Sequence, residues 1–156
     1  NTLDEPKWMC TTWVVSEQFH SVVAFDETWI YIGMGDTGGG LNAVVETGLI
    51  TAGGELSSYQ NVTGPNSDKS GMAGFAANNF LYSIGGGLTG GPSERGHETS
   101  ISGVVPVLDN WNSLGGVRLA TERELSGDAA ESAFWFIVGG VNAAGTATAS
   151  VDFTNL

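Results

Sequence analysis

Three stretches of this chain run in parallel: FHSVVAFDETWIYIGMGD (19–36), SGMAGFAANNFLYSIGGG (70–87) and ELSGDAAESAFWFIVGGV (124–141). In each, a segment of small residues meets a polar break, and an aromatic, a β-rich run and glycine follow. Superposing Trp29, Phe80 and Phe134 brings Gly35, Gly86 and Gly140 into line without a gap, and the aromatics stand 51 and 54 residues apart. A period of about 50 residues made of short strands predicts an array of small sheets, each unable to bury its own faces alone. The repeated residues are then scaffold, and function must lie in what differs between repeats.

Each unit divides further. After the glycines come polar segments read as loops: 36–42, 87–98 and 141–147. Second strands are expected at 43–50, 99–108 and 148–153, where β-branched residues gather. A second aromatic column, Trp8, Tyr59 and Trp111, closes the units, and Gln18, Lys69 and Arg123 fall in register in the spacers that follow. Asp26 to Thr28, Ala77 to Asn79 and Glu131 to Ala133 sit where hairpin turns belong. Trp29, Phe80 and Phe134 are expected to fill the gaps between neighbouring sheets. The glycine pairs are expected to turn the strand sharply or take positive φ where side chains would collide.

Composition fits strands better than helices. Only 14% of residues are charged and 24 are glycine, whereas exposed helix faces need more Ala, Leu, Glu and Lys. With 17 acidic residues against 5 basic ones, the net charge of −12 leaves no cationic surface for phosphates, so neither nucleic acid nor an anionic membrane is an expected partner. The acids are spread along the chain, which reads first as solubility and second as attraction to a cation or a basic partner. Cys10 is the single cysteine, so no intrachain disulfide can form. Asn61-Val62-Thr63 is a formal glycosylation sequon, and no run of about 18 apolar residues offers a membrane span. The first residues, Asn-Thr-Leu-Asp-Glu-Pro, read as a processed product or a piece of a longer protein.

A strand ending in Gly-Gly, a loop, a β-branched strand, an aromatic about 25 residues later and a basic residue before the next strand resemble the kelch repeat. Gly85-Gly86 and Gly139-Gly140 match the doublet, Trp111 the tryptophan and Arg123 the arginine; Met34-Gly35 and Tyr59 depart from the pattern. The resemblance covers the whole chain as three units, approximately 8–58, 59–110 and 111–156. It implies an all-β fold of about three four-stranded antiparallel β-propeller blades. Three blades do not close a ring, since propellers have roughly four to eight, so a partial ring or one completed between chains is expected. The glycine- and alanine-rich linkers also resemble the kelch-like repeats of bacterial and phage exterior proteins.

Motifs for chemistry are weak. Gly33-Met34-Gly35-Asp36-Thr37-Gly38 fits G-x-G-x-x-G, but a β-rich run follows where a dinucleotide site needs a helix. His20 and His97 have no partner at metal-ligand spacing. Galactose oxidase, a kelch propeller, builds its copper site from His, Tyr and Cys. Tyr31 and Tyr82 instead occupy corresponding strand positions with Phe136 in the third unit, and read as packing. No G-x-S-x-G elbow and no sialidase Ser-x-Asp-x-Gly-x-x-Trp box is present. The expectation is a non-catalytic structural or binding module without cofactor, part of an exterior or virion-associated assembly, contacting other protein chains or a glycan. A glycan-binding module or a galactose-oxidase-like, glycan-processing enzyme is the alternative. The candidate binding residues are Asp36, Thr37, Ser93, Glu94, Arg95, His97, Glu98 and Asn142, on loops expected to gather on one face.

Overall fold

In the computed structural model, residues 21–25, 28–62, 64–65, 67, 69–102, 107–131 and 133–155 are described, the first five by backbone alone. Trp8, Cys10, Gln18 and His20, together with Asp26, Glu27 and Ser132 of two expected turns, lie outside them. The described residues are all β, without a helix. Strands β1 (Ser21–Phe25), β2 (Trp29–Gly33), β3 (Val45–Ile50) and β4 (Leu56–Val62) form an antiparallel sheet in sequence order. The second sheet places β5 (Ala73–Ala77) beside β6 (Phe80–Ile84). A short hairpin, β7 (Gly87–Leu88) with β8 (Gly91–Pro92), then leads to β9 (Arg95–Ser102), which pairs with β6. Both β10 (Val107–Leu108) and β11 (Asn112–Arg118) pair with β9 and share the place of a fourth strand. The linker strand β12 (Arg123–Glu124) precedes the third sheet, formed by β13 (Gly127–Glu131), β14 (Phe134–Val138) and β16 (Val151–Asn155). Between the last two, β15 (Val141–Asn142) pairs back to β12.

The turn chemistry follows the residues. Asn78 and Asn79 take φ of 51° and 64°, the double left-handed turn that tight hairpins need and that asparagine tolerates. The glycine doublets behave alike: φ is positive at Gly85, Gly86, Gly139 and Gly140. Close approach adds a second constraint. A Cβ on Gly86 would stand 2.9 Å from the Ser70 carbonyl, and one on Gly140 would stand 2.6 Å from the Glu124 carbonyl, because the linker backbone crosses there. In the first sheet Met34 takes the corresponding left-handed position, φ 52°, with its side chain buried.

The sheets pack in succession. Tyr31 and Val45 of the first share a core with Leu81, Ile101 and Leu108 of the second. The opposite face of the second sheet, through Ala73, Ile84 and Leu119 with Phe75 and Tyr82, packs on Trp135 and Ile137 of the third. Strand β5 lies against both β1 and β13, so the first strands of the three sheets are neighbours.

Three expectations need correction. The segment 87–98 is no single loop: it holds the β7–β8 hairpin and the first half of β9, so Arg95, His97 and Glu98 are strand residues. Their polarity hides the strand, which pairs along β6, and Gly96 leaves room there for the Leu114 side chain, 2.8 Å from where a Cβ would stand. The last strand starts at Val151 rather than at 148, since Thr148 and Ser150 engage each other and turn the backbone first. Phe134 fills no gap, being 39% exposed on the outer side of the last sheet. As the second aromatic column implies, the strand carrying Tyr59 pairs with β3 and the one after Trp111 pairs with β9, so both aromatics close the sheet before them.

Candidate binding surface

All three loops after the glycines leave from the same end of their sheets, and linker backbone ties their bases together. Asn42 bridges to Lys69, Ser70 to Gly87, and β12 to β15. Between linkers, Leu125 donates to the Gly71 carbonyl at 2.7 Å, and Gly86 donates to that of Arg123 at 2.9 Å. These bonds make one continuous loop-bearing end out of three sheets.

The candidate residues there divide into those that hold the loops and those that remain presented. Asp36 accepts from the Gly38 amide at 2.7 Å, and the Thr37 amide and hydroxyl both donate to the Gly40 carbonyl. Asn142 uses one side-chain oxygen to accept from the amides of Ala144 and Thr146, both at 3.0 Å. The carboxamide and carboxylate are thus spent on their own turns, while Thr37 and the turn backbone face outward. Ser93 is buried, its hydroxyl accepting from the Arg95 amide at 3.1 Å. Glu94 pairs with Arg118 in a half-exposed ion pair. Arg95 is exposed, and Glu98 lies opposite Tyr82 and Asn112 on β9.

Beneath this end run two buried cations. Arg123 is fully buried, donating to the Ser150 hydroxyl at 2.7 Å and the Ile137 carbonyl at 3.3 Å, and pairing with Asp152 at 2.6 Å. Lys69 stands correspondingly in the second sheet, donating to the carbonyls of Gly85 and Arg95 at 3.2 Å each. Its third contact is the Nδ1 of His97, at 3.3 Å. The ammonium has only donors, so Nδ1 serves as acceptor and the imidazole is neutral there. Burial, reinforced by the Arg95 charge, lowers Lys69 to about 8 from 10.5; burial, then Lys69 and Arg95, lowers His97 to about 4 from 6.5.

The registers explain the difference between the two. Glu46 opposes Ile32, His97 opposes Ser83 and Asp152 opposes Ile137, so these three occupy one position in three sheets. Two sheets place an acid there, and the second places an imidazole. The sequence carried the signal: Glu46 and His97 each lie 11 residues after Gly35 and Gly86, and Asp152 lies 12 after Gly140. His97, a candidate binding residue on the segment expected to be a loop, is a partly buried strand residue in contact with Lys69.

Each sheet junction also contains a cleft. One lies between the first and second sheets, lined by Tyr31, Leu81, Tyr82, Ser83 and Trp111. Another lies between the second and third, lined by Val117, Leu119, Trp135 and Asp152. Tyr31 is buried, and Tyr82 stacks against Phe80 and Trp135, so both tyrosines serve packing. Among the described residues, no group of three or more His, Cys, Asp or Glu could hold a metal ion. Asn61 is exposed on β4, whereas Thr63 of its sequon lies outside the described residues.

Neither protein-family models nor curated proteins match this chain. Solved structures do. The one titled "Structure of YjhT" superposes on 96% of this chain with a TM-score of 0.71 at 16% sequence identity. The match takes in 48% of that chain, so this one spans about half its length. At such identity the likeness concerns the fold: the chain is an all-β molecule of successive antiparallel sheets, similar in fold to half of that structure.

Proposed function

We propose that the chain is a kelch-like β-propeller segment, its three sheets acting as blades, and that it binds other protein chains through its loop-bearing end. The carrying observation is the repeated construction of that end. Two buried cations and two glycine doublets hold the sheets in fixed relation, while the loop segments they support differ in each repeat. A rigid scaffold presenting dissimilar loops is how binding surfaces are built on repeat folds. An exterior or virion-associated assembly is the setting we favour, because hydroxyls, amides and backbone dominate the exposed loop tips while basic residues are few.

A glycan partner is the second reading, supported by the outward-facing Thr37, the glycine-rich turn beside it and the exposed Arg95. The experiment compares wild type with a Thr37→Ala/Arg95→Ala variant in two assays, an oligosaccharide array and cross-linking within the native assembly. Cross-links to foreign chains concentrated at 36–42, 87–92 and 141–147, and weakened in the variant, are expected. Array binding lost in the variant would favour a glycan. Turnover of any captured oligosaccharide would overturn the non-catalytic reading.

A further inference from the structure

At the junction of the first and second sheets, Tyr31 does more than pack. Tyr31 is 1% and Ser83 2% exposed, yet neither Tyr31 Oη nor Ser83 Oγ has a hydrogen-bond partner among the described residues, and the two do not bond each other. A buried hydroxyl without a partner is costly, and most in folded proteins are met by protein or by water. Both side chains line the same cleft. Tyr31 reaches it from β2, and Ser83 reaches it from β6, on the face that Leu81 also turns toward the first sheet.

The repeat shows how this cleft arises. Counted from Trp29, Phe80 and Phe134, the place of Ser83 is held by Ile32 in the first sheet and by Ile137 in the third, both buried. The cross-strand partner of Ser83 on β5 is Gly74, whereas Ile32 pairs with Val22 and Ile137 with Asp128. Of the three sheets, only the second sets a serine beside a glycine here, and the volume they give up becomes the cleft. Met34, Val45 and Leu81 add apolar wall, and no charged side chain among the described residues lines it, so an ion would find no partner. The room that remains suits a molecule of water's size rather than an organic ligand. We infer that the first junction is built around one internal water, hydrogen-bonded to Tyr31 Oη and Ser83 Oγ and so joining β2 to β6. Water both donates and accepts, as each hydroxyl does, and therefore satisfies the two at once. Burial pushes the Tyr31 phenol up to about 12, which keeps its proton in place across the neutral range.

This inference goes beyond the loop-bearing end and stands or falls without it. A high-resolution crystal structure of the wild-type chain should show an ordered oxygen about 3 Å from both hydroxyls. Urea denaturation reads what the bridge is worth. Tyr31→Phe, which installs the residue type of Phe136 in the third sheet, should lower the folding equilibrium constant about fivefold or more. Ser83→Val fills the place of the water with carbon and leaves the phenol unmet. In that background Tyr31→Phe should cost nothing, or raise the constant. The crystallographic result decides even where Ser83→Val does not fold. A site without ordered water, a protein group lying between the two hydroxyls in its stead, or a Tyr31→Phe effect equal in both backgrounds would each overturn the proposal.

Discussion

At position 97 the second sheet holds a histidine where the first has Glu46 and the third has Asp152. The buried Lys69 therefore meets a neutral acceptor, while Arg123 meets a carboxylate. An uncompensated buried charge is costly, and a charged partner restores it. His97→Asp should accordingly raise the unfolding free energy at neutral pH by about 1–2 kcal/mol, the worth of a charge-assisted hydrogen bond at a half-buried site, measured by urea denaturation. The sign of the pH dependence follows from the same groups. Folding depresses both basic groups, so the unfolded chain binds the extra proton between about 4 and 6.5 for His97 and between about 8 and 10.5 for Lys69. Stability from these two groups thus rises with pH across each window. The upper rise should vanish in Lys69→Met and the lower one in His97→Gln, read as the difference from wild type so that the carboxylates cancel. Lys69 and Arg123 were visible in the sequence as a register. Their acidic and imidazole partners were not recognised, because the residues flanking His97 are polar enough to resemble a loop.

Among the elements, the glycine doublets and their linkers decide how one sheet joins the next. Gly86 and Gly140 combine positive φ with a carbonyl too near for any Cβ, and the linker cannot retreat because Ser70 and Glu124 are bridged to Gly87 and Val141. Gly140→Ala should cost about 2 kcal/mol or more, judged by the denaturation midpoint, from the left-handed backbone and the displaced carbonyl together. An alanine at Gly90, where the structure leaves open space and an ordinary φ, should change stability little. The doublets and the hairpin turns at 78–79 were legible because they rest on local backbone preference. The start of the last strand was not, because the local turn that Thr148 and Ser150 make is joined by a hydrogen bond from Arg123 to Ser150, 27 residues away.

Across the whole molecule, protection should be graded rather than uniform. The first two sheets bury their central strands between neighbours, whereas β13 is exposed along its length, and β16 has no partner on its outer edge among the described residues. Hydrogen exchange should be slowest in β3, β6 and β9 and fastest in β13 and β16. Uniform protection would contradict the graded packing. The repeat, the all-β character and the places of the glycines and most aromatics were determined by the sequence, because a fifty-residue period and turn chemistry act within one unit. Tertiary structure alone decided that β9 begins inside a polar stretch, that one buried cation lacks its acid, and that Phe134 faces outward instead of filling a gap. Each of these depends on what a neighbouring sheet supplies or fails to supply, and no local pattern of residues encodes a neighbour.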